Sequence, residues 1–242
     1  MSEPVKSHPM PFLRLELCVL AVEQGELRVL LGRRTEAPYA GRWALPGGVL
    51  RIDLDADLLA AAQRVARERL GLDLPGLTQL GAFGGRKRDP RAPWAMSVVY
   101  RCMTEAAALQ AQPGKRLEAL KWETAEAAAA DLGLAFDHAA LIAEALQQLR
   151  ADVQDLRFPT GLLPRPFTLG ELQAASEAVL GRPLDKSSFR RRLDAAQVVQ
   201  PVEGAMRTGA FRPAQLFEPG SPSPVTPRAS GERVPPSDRA RR

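Results

Sequence analysis

The pattern of apolar and polar positions changes its period several times along the chain. Residues 12–22, FLRLELCVLAV, alternate and then turn continuously apolar, which predicts a strand that becomes covered on both faces. Gln24-Gly25-Glu26 reads as a tight turn and residues 27–31 as the returning strand. Helical spacing takes over at residues 57–70, where Leu58, Leu59, Ala62, Val65, Ala66 and Leu70 form one stripe. Asp55 or Asp57 stands at its N-cap, and Gly71 supplies a left-handed C-cap. Residues 77–81 and 97–103 predict two further strands, separated by an arginine-rich polar loop over 84–93. After an alanine- and glutamine-rich excursion at 106–115, another strand is centred on 117–122. Residues 139–153 carry a strong helical pattern, with Ala135-Phe136-Asp137-His138 as its capped start.

From residue 167 the pattern is of a different kind. Thr168-Leu169-Gly170-Glu171 is a capping box, since the threonine hydroxyl can accept from the Glu171 amide while the glutamate reaches back. The helix it opens carries Leu169, Leu172, Ala175, Ala178 and Val179 and stops at Gly181. Arg182-Pro183-Leu184 turns the chain, and Asp185 caps a second helix from Lys186 to about Ala196. Val198-Val199 and residues 214–217 then predict two short strands around a loop at 203–213. Helix, turn, helix and two-stranded wing make a winged helix-turn-helix outline.

On the second of these helices Phe189, Leu193 and Ala196 share the face turned toward the first, and Ser187, Arg190, Arg191 and Asp194 point away. Arginine binds guanine in bidentate fashion, so Arg190 and Arg191, beside Ser187, are placed for base edges in a major groove. Lys186 and Arg192, flanking the packed face, and Arg207 and Arg212 in the wing suit phosphates.

Composition adds two points. With 45% apolar and 25% charged residues, no apolar run approaching the length of a membrane span and no basic-then-apolar leader, the chain is expected to be cytoplasmic and without a membrane partner. The charge is unevenly divided: residues 1–156 hold 19 basic and 20 acidic side chains, residues 157–218 hold 9 and 6, and residues 219–242 hold 5 and 2. Such an excess at one end points to a polyanionic partner for the C-terminal part. The expected domains are a flexible N-terminus (1–9), a first domain (10–156), the winged helix (157–218) and a disordered, basic, proline-rich tail (219–242). Cys18 and Cys102 lie in predicted strands and are read as buried free thiols.

The chemistry of the first domain centres on residues 41–71, GRWALPGGVLRIDLDADLLAAAQRVARERLG. Pro46-Gly47-Gly48, a loop and an amphipathic helix ending Arg64…Glu68…Gly71 resemble the loop-helix box of the Nudix hydrolases. Carried over in register from Gly71, the three helix glutamates of that family fall on Val65, Glu68 and Arg69. Two additional residues between Gly48 and Gly71 place the box's earlier glutamate on Leu54 counted forward or Ala56 counted backward. Clustered carboxylates are what a divalent cation needs. Here only Glu68 remains as a metal or catalytic candidate, and Arg69 adds a cation that repels a like charge at ~4 Å by about 4 kcal/mol. Asp53, Asp55 and Asp57 either supply compensating carboxylates from the loop or form a solvated turn and a helix cap, and the latter explains all three residue types. Arg51, Glu68 and the backbone around Gly47 and Gly48 suit a diphosphate ligand without turnover, Trp43 is either core or a base-stacking platform for the ligand, and Arg88 and Arg91 on the 84–93 loop form a second phosphate-facing group.

Both halves together, in Leu45-Pro-Gly-Gly48, Arg64 to Gly71, Arg88-Asp-Pro-Arg91, Ala135-Phe-Asp-His138, Gly181 to Lys186, Phe189-Arg-Arg-Arg-Leu193 and Arg212 to Phe217, resemble the Nudix-related transcriptional regulators. That resemblance implies an α/β (α+β) Nudix sandwich followed by a small winged helix-turn-helix domain. It also implies a homodimeric repressor that binds a double-stranded DNA operator and releases it when a nucleotide effector such as ADP-ribose enters the Nudix domain. Control of NAD metabolism genes and no required cofactor go with it. The alternative is a magnesium-dependent hydrolase of ADP-ribose or a related nucleoside diphosphate derivative.

Overall fold

A computed structural model describes residues 11–208 and 213–220. At its centre β1 (Phe12–Glu23) has Cys18 and Leu20 in one apolar cluster and Leu15, Leu17 and Val19 in another. Successive side chains of a strand point to opposite faces, so one strand feeds two cores. β2 (Glu26–Arg34) returns antiparallel through Gln24 and Gly25, at φ 53° and 79°, the two-residue turn whose twist matches paired strands.

The sheet is completed by β3 (Trp43–Ala44), β4 (Gly47–Val49), β5 (Thr78–Gly85), β6 (Ala95–Met103) and β7 (Leu117–Thr124). Its order is β3-β2-β1-β6-β5, with β4 paired to β1 and β7 to β2. β1 and β6 run parallel in register from Phe12 opposite Ala95 to Leu20 opposite Met103. The crossover between them carries α1 (Leu58–Leu70), which covers one face of the sheet; α2 (Ala125–Ala130) and α3 (His138–Gln154) cover the other. Cys18 faces the α3 side and Cys102 the α1 side, so the sheet itself keeps the two thiols apart. Burial raises both to about 12, which leaves them unreactive.

Several expectations change in detail. Asp57 is the N-cap of α1 and accepts the Ala60 amide at 2.7 Å, while Gly71 closes the helix at φ 73°. Leu59, placed on the apolar stripe, is 47% exposed; Ala61 is buried instead, because the helix axis is set by small residues against the sheet. Asp137 stands at the N-cap position of α3 but makes no side-chain cap bond, its carboxylate being held elsewhere. α2 was not expected at all: an alanine run has no stripe to reveal which side is covered.

The C-terminal part contains β8 (Phe167–Thr168), α4 (Leu169–Leu180), α5 (Lys186–Ala196), β9 (Val199–Arg207) and β10 (Ala214–Pro219), with strand order β8-β10-β9. The capping box forms: Thr168 accepts the Glu171 amide at 3.2 Å, and Glu171 accepts the Thr168 amide at 2.8 Å. Asp185 caps α5 by accepting the Ser188 amide at 2.8 Å. β9 runs further than expected, through the first half of the supposed wing loop. On α5 Phe189 and Leu193 are buried, but Ala196 is exposed, because the helix has left the α4 surface by its last turn. Arg212, the N-terminus 1–9 and the tail beyond Gly220 lie outside the described residues. No helix among the described residues is long and apolar enough to cross a membrane.

The boundary expected at residue 157 falls in the link between α3 and β8, yet the apolar core continues across it. Leu172, Ala175, Val179, Phe189 and Leu193 belong to the same cluster as Leu146, Leu149 and Val153 of α3. Polar ties reinforce the seam. Arg150 Nε donates to Val179 O at 3.0 Å, and Arg192 Nη2 on α5 donates to Gln154 O at the end of α3. A shared core makes thermal unfolding a single cooperative transition by calorimetry, and Leu172→Ala lowers the stability of the whole chain by about 2–5 kcal/mol. Two separately shifted transitions would contradict this.

Candidate functional site

On α1, Val65, Glu68 and Arg69 occupy positions i, i+3 and i+4 and so share one side. Val65 is fully buried, and its Cγ2 lies 2.8 Å from where a Cβ on Gly48 would stand, which explains the second glycine of Pro46-Gly47-Gly48. Arg69 is also buried. Its Nε donates to Gly47 O at 2.7 Å and its Nη1 to Lys115 O at 2.7 Å. Glu68 is partly exposed, 3.4 Å from Arg64 and 4.0 Å from Arg51. Asp55 is taken by Arg64 through bonds of 2.7 and 2.8 Å, Asp57 by its cap, and Asp53 faces Arg51 at 3.6 Å. Among the described residues no group of three or more histidines, cysteines or carboxylates is arranged to hold a metal. The magnesium that a hydrolytic reading requires therefore does not fit this box: two of its carboxylate positions carry an aliphatic side chain and a cation.

The groups that do converge are arginines. Arg14 on β1, Arg34 at the end of β2, Arg69 on α1, Arg91 on the 84–93 loop and Arg116 before β7 line one crevice with Gly47 at its wall. Phe136 supplies its aromatic side: Arg34, Arg14 and Arg91 lie 5.0, 5.2 and 5.7 Å from the ring centroid, within cation–π range. Phe136 adopts φ 57°, a left-handed conformation costly for an aromatic residue, and its edge contact with Tyr39 at 4.8 Å helps hold the ring there. Arg14 is paired with Glu16 at 2.6 Å, Arg91 with Asp89 and Arg116 with Glu36 at 3.1 Å. Arg34 and Arg69 have no carboxylate partner among the described residues. Burial, then the proximity of Arg14 and Arg91, lowers Arg34 to about 10. Crowded guanidinium groups of this kind favour an incoming anion, and the two left without a carboxylate match the charges of a bridging diphosphate, one per phosphate. The crevice encloses about 20 Å³, so it must widen to admit such a group.

Beneath the crevice lies a buried polar knot. Glu16 is 1% exposed, with Arg14 on one side and His138 Nε2 at 3.8 Å on the other. His138 Nδ1 accepts the Leu45 amide at 2.9 Å, which ties the Pro46-Gly47-Gly48 turn to the start of α3. A Cβ on Gly47 would stand 1.7 Å from Glu16 Oε2, so only glycine fits there.

Of the sequence-predicted ligand residues, Gly47 and Arg91 line the crevice. Gly48 packs on Val65, Arg88 clamps Asp137 through bonds of 2.6 and 2.7 Å, and Arg51 and Glu68 face each other outside the crevice. Trp43 pairs with Arg33 across β3 and β2, and Lys121 lies 4.8 Å from its ring centroid. Sequence reasoning missed Arg14, Arg34, Arg69 as a ligand-facing group, Arg116 and Phe136. One signal was available: in FLRLELC the two charges Arg14 and Glu16 share the face that later carries Cys18 and Leu20, a face that must be buried.

On α5 Lys186, Ser187, Arg190, Arg191 and Arg192 are all exposed. Arg192 is tied to Gln154 O, and Arg207 on β9 pairs with Glu171 and donates to Pro166 O at 3.3 Å. Arg190 and Arg191 make no ion pair among the described residues, so a basic, unneutralised face is presented by the helix that the winged architecture offers to a groove.

Comparison with known proteins follows this geometry closely. Residues 13–145 match the NUDIX domain family, and residues 159–218 match the NrtR DNA-binding winged helix domain. A curated relative from Acinetobacter baylyi, named as the ADPR responsive transcriptional repressor NtrR, is 38% identical over 210 residues, covering 87% of this chain and 82% of that protein. The crystal structure of Shewanella oneidensis NrtR with a 27mer DNA superposes with a TM-score of 0.70 at 31% identity, covering 85% of this chain and 92% of that one. The isolated NUDIX domain of the same protein, solved with ADP ribose, gives a TM-score of 0.55 at 28% identity over 62% of this chain and 99% of that one.

The buried knot sets an acid limit. Burial opposes the charge of Glu16, but Arg14, followed by His138, outweighs it and holds the carboxyl down to about 2, against an ordinary 4.5. A depressed folded pKa stabilises the fold above the unfolded value, and that contribution is lost as pH falls through the folded one. Urea denaturation from about pH 5 down to about pH 2 should therefore show wild type losing up to about 3 kcal/mol more than Glu16→Gln. Parallel curves would contradict this assignment.

Proposed function

Because this chain belongs to the Nudix-related transcriptional regulators, with a NUDIX domain followed by an NrtR-type winged helix, we propose that it is a DNA-binding repressor that ADP-ribose releases from its operator. The observation that carries this reading is the pairing, on one continuous apolar core, of an arginine crevice suited to a diphosphate with an unneutralised basic helix suited to a major groove. Arg190 and Arg191, beside Ser187, read base edges, while Lys186, Arg192, Arg207 and Arg212 hold phosphates. The repressor acts as a homodimer on a two-fold operator, and NAD metabolism genes are its targets.

α3 is the mechanical link between the two sites. Phe136, just before its start, lies against the crevice arginines Arg14, Arg34 and Arg91, His138 at its start joins the knot beneath, and the far end of this 17-residue helix accepts the Arg192 bond from α5. A helix of that length spans about 25 Å and is stiff along its axis. Widening the crevice displaces the Phe136 corner, and the displacement reaches α4 and α5 through the shared core and through Arg150.

Operator binding is tested by mobility shift against promoters neighbouring the gene, at fixed moderate salt, with and without ADP-ribose. Sequence-selective binding that ADP-ribose weakens at least about 5-fold is expected. Arg190→Ala with Arg191→Ala lowers selective affinity at least about tenfold, whereas Lys186→Ala weakens all sequences alike and reduces the salt slope by about one. Failure to select any promoter, or magnesium-dependent cleavage of ADP-ribose that Glu68→Gln abolishes, would overturn the repressor reading.

A second measurement addresses the link. Arg150→Ala leaves ADP-ribose binding to the DNA-free chain unchanged by calorimetry but diminishes the effect of ADP-ribose on operator affinity. An undiminished effect would contradict a route through α3.

A further inference from the structure

We propose that Arg69 is a built-in replacement for the divalent cation of the Nudix fold, so that this chain holds a diphosphate-bridged nucleotide without metal. The inference rests on the effector reading for its ligand, but its argument comes from the helix face that should have carried carboxylates. A metal at this place would be coordinated by oxygen atoms from the α1 face and from the neighbouring backbone. Val65 offers no oxygen, and its methyl groups fill the space against Gly48. Arg69 goes further, because it brings the positive charge itself.

Its guanidinium bridges two backbone segments that the fold brings together, donating to Gly47 O on β4 at 2.7 Å and to Lys115 O before β7 at 2.7 Å. Both acceptors are carbonyl oxygens, the kind of atom that would serve as a ligand to a cation, and the guanidinium donates to them instead. Among the described residues Nη2 has no hydrogen-bond partner, and Arg69 lines the crevice beside Arg14, Arg34, Arg91 and Arg116. The side chain is 7% exposed, so its charge acts in a weakly screened setting. Glu68, the remaining carboxylate of the face, is engaged by Arg64 and Arg51 rather than by Arg69. A fixed guanidinium can neutralise a diphosphate and fix its geometry through planar donors, yet it cannot lower the pKa of a bound water as a metal does. Recognition and turnover are thereby separated at two positions of one helix face, 65 and 69.

The test has a metal arm and a ligand arm. In the first, Mn²⁺ alone is titrated into the full chain and followed by water proton relaxation. Wild type should show no site at the box, and the Val65→Glu, Arg69→Glu double variant should gain one; a wild-type Mn²⁺ site removed by Glu68→Gln would overturn the assignment whatever the effector proves to be. In the second, ADP-ribose and, separately, inorganic pyrophosphate are titrated by calorimetry in EDTA and in excess Mg²⁺. Affinities equal within about twofold in the two buffers are expected, with at least a tenfold loss in EDTA for Arg69→Gln and a smaller loss for Arg69→Lys. Binding that requires Mg²⁺ would overturn the proposal and leave the effector reading standing. No binding of ADP-ribose in either buffer would reject the effector reading instead, and with it the diphosphate part of this inference. The comparison between buffers uses wild type, so it decides even if a variant fails to fold.

Discussion

A carboxylate with no access to water has to find its partners inside the protein, and Glu16 organises the first domain around that need. Desolvating it without compensation would cost several kcal/mol, more than a domain of this size can easily spare. Arg14 lies two residues away on the same face of β1 and donates to Oε1 at 2.6 Å. His138 approaches from the start of α3, and its other ring nitrogen accepts the Leu45 amide. Among the described residues Glu16 Oε2 accepts no hydrogen bond, and it stands where a side chain on Gly47 would be. One buried charge thus fixes the position of three segments: the central strand, the Pro46-Gly47-Gly48 turn and the first residues of α3.

The arginine crevice inherits its geometry from that knot. Arg14 is held at its floor, Gly47 presents a carbonyl to Arg69, and Phe136 is fixed two residues before His138 under three guanidinium groups. The carboxylates present are spent on structural partners: Asp55 on Arg64, Asp57 on the helix cap, Asp137 on Arg88 and Asp89 on Arg91. What is left over is positive, which suits a phosphate and opposes a metal. A sensor requires this balance, since hydrolysing the signal would erase it.

Communication with the winged helix needs no separate device. In the proposed route, small displacements at the crevice reach α3 because close-packed cores shift as units and do not deform continuously. The core of the first domain does not end where the chain leaves α3; it continues into α4 and α5 through Leu149, Val153, Leu172 and Leu193. Arg150 and Arg192 then fasten the ends of the two helices of the winged part to α3 itself.

Much of this was legible in residue order. Apolar runs between turns and loops located β1, β2, β5, β6 and β7, capping residues located α1, α4 and α5, and the basic face of α5 followed from helical spacing alone. Local rules suffice there because hydrogen bonding and burial of an element depend on neighbours within a few residues. The loss of the box carboxylates was likewise visible in Val65 and Arg69. The binding crevice was not, because its arginines come from positions 14, 34, 69, 91 and 116, and only the pairing of β1 with β4 and the return of β7 against β2 set them side by side. Arg88 shows the converse: it looked phosphate-facing within its loop until the fold brought Asp137 to it across 49 residues. Sequence determined which charges the chain possesses and which elements carry them. Tertiary structure decided which were neutralised, because that depends on distances of a few ångströms between segments that chain order leaves unrelated.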